Sequence, residues 1–249
     1  MILTKHKWIW QSIFAMAAVL NITNLFNFAN ANEKVKKNQI EIAELQWVIC
    51  DDPQIIMQKM NITGSQIKQR SISYTDSINI DLFNLGYIIR TRTDRFKSKS
   101  VLKTNYTNAN NIPWEKYSKY DFKCEFDVYL ETQKIGCKLT SSLDEIIAIV
   151  EQEQPAVGQM NLKSLGPATS TEWTFQAESK QIFTLEQIKY NQYNSMEIST
   201  RVPASDIATE QKRWTDFFNS KKINICSEQK GNTSKLLKQM LNTYLPISL

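Results

Sequence analysis

The chain has 249 residues, 30 basic and 25 acidic, with a formal charge of +5, four cysteines and a single histidine, His6. That balance excludes a general nucleic-acid binder, whose footprint is a strongly basic domain. One imidazole near the N-terminus also excludes histidine triads, His-zinc sites and imidazole general bases, so any metal falls to carboxylate oxygens, which suit Mg²⁺, Mn²⁺ or Ca²⁺.

Residues 1–31 read as an export signal. Lys5 and Lys7 give a positive start, Ile13 to Leu20 an apolar run, and Ala29-Asn30-Ala31 an A-x-A cleavage site. An uncleaved N-terminal anchor is the alternative. No later segment reaches the roughly 18 apolar residues of a membrane span. Cleavage leaves one domain, residues 32–249, carrying 28 basic against 25 acidic residues. The protein is therefore expected to be exported, periplasmic or secreted, and its many Asn, Lys and Ile residues suggest a bacterial source.

Glu44 to Cys50 alternates as a strand, with Leu45, Trp47 and Ile49 opposite Glu44, Gln46 and Val48. Asp51-Asp52-Pro53 starts a short helix to Met60. Strands follow at Ile72–Tyr74, Gly86–Thr93 and Ser100–Asn105. Arg95, Lys97 and Lys99 sit in the intervening turn, either a solvated tip or a phosphate-access patch. Thr107 to Tyr120 has no clear period and reads as a lid or a long connection.

Lys123–Leu130 and Ile135–Thr140 form the next hairpin. In an exported chain an even cysteine count reads as disulfides, and this turn brings Cys124 to Cys137, leaving Cys50 for Cys226. A helix from Leu143 to about Glu153 follows. The Gly- and Pro-rich stretch Pro155 to Pro167 is expected to separate two halves. Thr171–Ala177, Gln181–Ile188 and Ser195–Val202 read as strands, then come helices from Ser205 to about Asn219 and from Ser234 to about Tyr244. Trp47, Trp173 and Trp214 are expected in the core.

Period-two alternation gives each strand one apolar and one charged face. Ile88, Arg90 and Arg92 share a face; Lys103 lies with Val101 and Asn105, Glu125 with Asp127, and Glu197 with Ser199 and Arg201. Two arrangements fit: an antiparallel sheet with one wet side, or a barrel whose charged faces line a polar tunnel. In the second, Arg90, Arg92 and Lys103 would bind a multiply charged anion, phosphate foremost, and Glu125, Asp127 and Glu197 would hold its metal counter-ions.

Tyr74-x-Asp76-Ser77, Leu82, Gly86, Arg90-x-Arg92 and Leu102-Lys103 resemble the CYTH, or triphosphate tunnel metalloenzyme, superfamily. Glu125-x-Asp127, Leu185-Glu186, Met196 to Ser199 and Ser234-Lys235 resemble its later motifs in order. The resemblance implies an α+β fold, a closed antiparallel eight-stranded tunnel barrel with helices packed outside. It also implies a small phosphorylated or anionic ligand held by Arg90, Arg92, Lys103 and Lys235, and Mg²⁺ or Mn²⁺ held among Glu125, Asp127, Glu197, Glu186 and Glu44. Two readings stay open, a metal-dependent phosphohydrolase or a non-catalytic binding protein on the same fold. Departures from the family pattern bear on that choice: Gln46, Val48 and Ser199 replace two acids and a lysine, and no arginine accompanies Trp173 and Phe175.

Overall fold

The computed structural model describes residues 40–62, 65–177, 180–231 and 233–243. The expected export signal, residues 1–31, lies outside them.

The alternating runs pair edge to edge until the sheet closes. The strands are β1 Ile42–Ile49, β2 Gln66–Asp76, β3 Tyr87–Thr93, β4 Ser98–Tyr106, β5 Lys123–Val128, β6 Gln133–Ser141, β7 Lys163–Gln176, β8 Ile182–Tyr190 and β9 Tyr193–Pro203. Around the barrel they follow the order β1-β5-β6-β4-β3-β2-β7-β8-β9, with β9 pairing back to β1. This corrects the expected eight-stranded, wholly antiparallel barrel: there are nine strands, and β1 runs parallel to β5 with Glu44 beside Asp127. The reason is topological. A closed ring with an odd number of strands cannot alternate direction throughout, so one neighbouring pair must run parallel.

Pro155 to Pro167 lies between the helix ending at Glu153 and the body of β7. It holds a 3-10 turn, Pro155–Gln159, and the start of β7, where the cis Gly166–Pro167 bond lies beside a register shift between Ile72 and Tyr74 of β2.

Among the described residues six α-helices lie on the barrel: α1 Pro53–Lys59, α2 Asp81–Asn84, α3 Trp114–Tyr117, α4 Leu143–Glu153, α5 Ile207–Ser220 and α6 Thr233–Leu241. The segment Thr107 to Tyr120 holds a 3-10 turn, Ala109–Asn111, and the short helix α3. Asp52 accepts the Gln54 backbone N–H at 2.9 Å to cap α1, and Ser142 accepts that of Glu145 at 3.3 Å to cap α4.

The apolar core lies between helices and barrel wall. Leu45, Trp47, Trp173, Phe183 and Leu185 pack against Trp214 and Phe218 of α5. Ile89, Leu102 and Leu139 pack against Ile146 and Val150 of α4, and Ile72 and Leu165 against Leu236, Leu237 and Met240 of α6. Burying each large aliphatic or aromatic side chain stabilises the fold by about 1.5–3 kcal/mol. Edge-to-face rings add directional contacts, with Phe183 4.7 Å from Trp214 and Trp47 5.1 Å from Phe218. Trp47 also donates from Nε1 to Thr215 Oγ1 at 2.9 Å, fixing α5 on β1. With apolar faces satisfied outside, period-two alternation sends the charged faces inward. Among the described residues no helix is long and apolar enough to cross a membrane.

Both expected disulfides form, Cys124–Cys137 between paired positions of β5 and β6, and Cys50–Cys226 across 176 residues of chain.

Candidate functional site

The first residues of the family-like motif build a turn. Asp76, buried at the end of β2, accepts the backbone N–H groups of Ser77, Leu82 and Phe83 at 2.7, 2.9 and 3.0 Å. Ser77 Oγ accepts from the backbone of Asn79 and Asp81 and donates to the Asp81 carboxylate at 2.6 Å. Gly86, at φ +90°, then turns α2 into β3; nothing crowds its missing Cβ, so the backbone angle alone calls for glycine. This turn sets the start of β3, and so the side to which Arg90 and Arg92 point.

Inside the barrel is a cavity of about 420 Å³, within the range of roughly 300–1,000 Å³ usual for small-ligand sites. Six cations line it, Arg90, Arg92, Lys103, Lys134, Lys138 and Arg201, with four carboxylates, Glu44, Glu172, Glu186 and Glu197. At one end the start of α6, Thr233 and Ser234, forms the wall with Phe83 and Tyr74. At the other, Arg201 and Glu44 stand between this cavity and a second of about 430 Å³ that opens by Lys180.

The cations divide by what they already hold. Arg92 donates to both Glu186 oxygens, at 2.8 and 3.0 Å, and Ser170 donates to the same carboxylate at 2.6 Å. Burial would raise the Glu186 carboxyl, but Arg92 and Arg90 outweigh it and hold the group below its usual range. Lys103 pairs with Asp127, a carboxylate 1% exposed. Lys138 hydrogen-bonds Glu125 and lies 3.4 Å from Glu44. Arg201 lies 3.1 Å from Glu44 and donates to Glu125 at 3.0 Å. Against the burial that would raise it, the Arg201 and Lys138 contacts keep Glu125 ionised with a pKa of about 2. Arg90 and Lys134 have neither hydrogen bond nor ion pair among the described residues, and the Arg92 Nε is buried without a partner. Unpaired donors facing a cavity are what an incoming anion would satisfy.

The carboxylates expected at a metal fall into two sets. Glu44, Glu125 and Asp127 offer oxygens within 4.8 Å of one another, a hard-donor cluster of the kind that holds a divalent cation. Glu186 stands apart with Arg92, and Glu197 accepts from the Tyr129 hydroxyl at 3.1 Å. Burial, then the charges of Glu44 and Glu186, push the Glu197 carboxyl up to about 8, so it keeps its proton near neutral pH. The cluster suits a divalent ion in donor type and spacing, yet each of its carboxylates already accepts from Lys103, Lys138 or Arg201.

Of the cations expected at the ligand, Arg90, Arg92 and Lys103 line the cavity and Lys235 does not. Lys235 pairs with Glu228 and about half its side chain is exposed, because α6 turns its apolar stripe to the barrel and its lysines away. Trp173 and Phe175 belong to the outer core, and the arginine near their strand comes from β2, where Arg70 donates to Glu172 at 3.0 Å. Sequence reasoning missed Lys134 and Lys138. The signal was present, since Lys134, Gly136 and Lys138 alternate along β6 and the two lysines stand opposite Asp127 and Lys103.

No family model and no curated protein matches the sequence. Among solved structures the chain is similar to a Hippeastrum protein named as an adenylyl cyclase with a dominant triphosphatase activity: TM-score 0.49, 13% identity, 84% of this chain and 99% of that one covered. It is similar to a Bacillus halodurans protein named as an adenylate cyclase, with TM-score 0.49, 14% identity, and 79% and 97% covered. An inorganic triphosphatase matches at TM-score 0.31 and 10% identity over 69% of this chain and 80% of its own. At TM-scores below 0.5 these likenesses identify neither ligand nor activity.

Proposed function

We propose that the tunnel binds a multiply charged phosphate anion, inorganic triphosphate, polyphosphate or a phosphorylated organic molecule, in an exported bacterial protein. The observation that carries this reading is that Arg90 and Lys134, unpaired among the described residues, line the same cavity as Arg92. A phosphate chain would supply several acceptors to them at once, and each charge-assisted hydrogen bond to such a group contributes about 1.5–3 kcal/mol. The resemblance of the Tyr74 to Lys103 motifs to triphosphate tunnel proteins supports the ligand class, and two disulfides support export.

Calorimetric titration with inorganic triphosphate tests the reading. Arg90→Ala is expected to weaken binding at least about tenfold, equivalent to about 1.4 kcal/mol. Affinity unchanged in both Arg90→Ala and Lys134→Ala would refute it.

A second reading, hydrolysis of the bound phosphate assisted by Mg²⁺ or Mn²⁺, is raised by the donor type and spacing of the Glu44–Glu125–Asp127 cluster, and requires the ion to displace the cations those carboxylates already hold. When bound there, a divalent ion would neutralise charge on a reacting phosphoryl group. Phosphate release that is lost in Glu125→Ala would support this reading, and no turnover with either ion would leave binding as the function.

A further inference from the structure

The carboxylate cluster already contains its counter-charges. Lys138 projects from β6 between Glu44 and Glu125, which come from β1 and β5. Arg201 from β9 reaches the same two carboxylates, and Lys103 from β4 takes Asp127. Three carboxylates thus face three cations, and the cluster has no net charge left to attract a divalent ion. Gln46 presents its amide Nε2 to the free oxygen of Asp127 at 3.5 Å, so that carboxylate faces protein donors on both oxygens. Room for this packing comes from Gly136, where a Cβ would lie 2.5 Å from Asp127 Oδ2 and 2.7 Å from Lys103 Cε. The Lys138 ammonium stays charged: burial works against it, but Glu44, Glu125 and Asp127 prevail and raise its pKa.

We propose that Lys138, backed by Arg201, is the resident counter-cation of the Glu44–Glu125–Asp127 cluster, so that the tunnel takes its phosphate anion without a divalent metal and a metal can enter the cluster only by displacing Lys138. The anion half rests on the function proposed above; the metal half stands on the ion pairs alone. A divalent ion needs carboxylate oxygens free of competing donors. Here it must break charge-assisted hydrogen bonds that are already formed.

The test is direct Mn²⁺ binding, followed by the electron paramagnetic resonance of free Mn²⁺, with no anion present. Wild-type protein is expected to bind Mn²⁺ weakly. Lys138→Met and the double variant Lys138→Met, Arg201→Met are expected to bind at least about tenfold more tightly, since each substitution uncovers carboxylate charge. Lys138→Arg is expected to restore weak binding. Mn²⁺ affinity equal in wild type and Lys138→Met overturns the proposal. So does stoichiometric, tight binding to wild type that is lost in Glu125→Gln, an outcome readable even if the Lys138 variants do not fold. Calorimetry with inorganic triphosphate in chelator is expected to match that in buffer alone, and binding that requires added Mn²⁺ would also overturn it. Absence of triphosphate binding under every condition would instead remove the proposed function, leaving the Mn²⁺ comparison valid.

Discussion

Glu197 shows how one lumen residue can couple the barrel to pH. It lies on β9, and although the hydrogen bond from Tyr129 works the other way, burial and the charges of Glu44 and Glu186 raise its pKa from an ordinary 4.5 to about 8. The folded state therefore holds a proton that the unfolded chain releases at lower pH. Stability should fall as pH rises from about 4.5 to about 8, with the loss complete above that range. Glu197→Gln keeps the hydrogen bond to Tyr129 and removes the ionisation. Urea unfolding at about pH 5 and about pH 9 should show a smaller decline in the variant than in wild type. Equal declines would mean that Glu197 is not the group responsible. The charged alternation of Glu197, Ser199 and Arg201 was legible in the sequence. That Glu197 stands near Glu44 and Glu186, and so keeps its proton, was not, because those charges come from two other strands.

At the scale of elements, β6 decides how the lumen charges pair. Lys134 and Lys138 point inward from either side of Gly136, whose missing side chain lets Lys103 and Asp127 meet across the strand. Gly136→Ala would drive a methyl group into that pair. The atoms it would meet are the ends of flexible side chains, but Asp127 is 1% exposed and has little room to move. A loss of about 1–3 kcal/mol is expected in denaturant unfolding, the usual range for an overpacked interior. A change below about 0.5 kcal/mol would show that the Lys103–Asp127 pair can shift without cost. The turn after β2 works in the opposite sense. The side chains of Asp76 and Ser77, prominent in the sequence for their chemistry, direct their hydrogen bonds into the turn that aims β3.

For the whole molecule, closure matters more than any one contact. β1 is held by β5 on one side and β9 on the other, and the chain beyond it is tied by Cys50–Cys226 to the segment following α5. That bond closes a loop of 176 residues, and long loops are where a cross-link most restricts the unfolded chain. Replacing both cysteines with serine should lower unfolding free energy by about 2–5 kcal/mol in guanidinium titration. A smaller effect, with the barrel intact, would place the stability of β1 in its strand pairing and in Trp47 against α5.

The sequence by itself determined where the strands lie, the start of the helix at Pro53, the Cys124–Cys137 pair and the choice of faces, because these follow from short-range rules: alternation of period two, helix starts and the reach of a hairpin. Only the tertiary structure decided the number of strands in the ring, the parallel pair that an odd ring requires, and which charge neutralises which. Lys138 lies 94 residues from Glu44, and Arg201 lies 76 from Glu125. No local pattern encodes such partners; the closure of the barrel and the radius of its lumen bring them together.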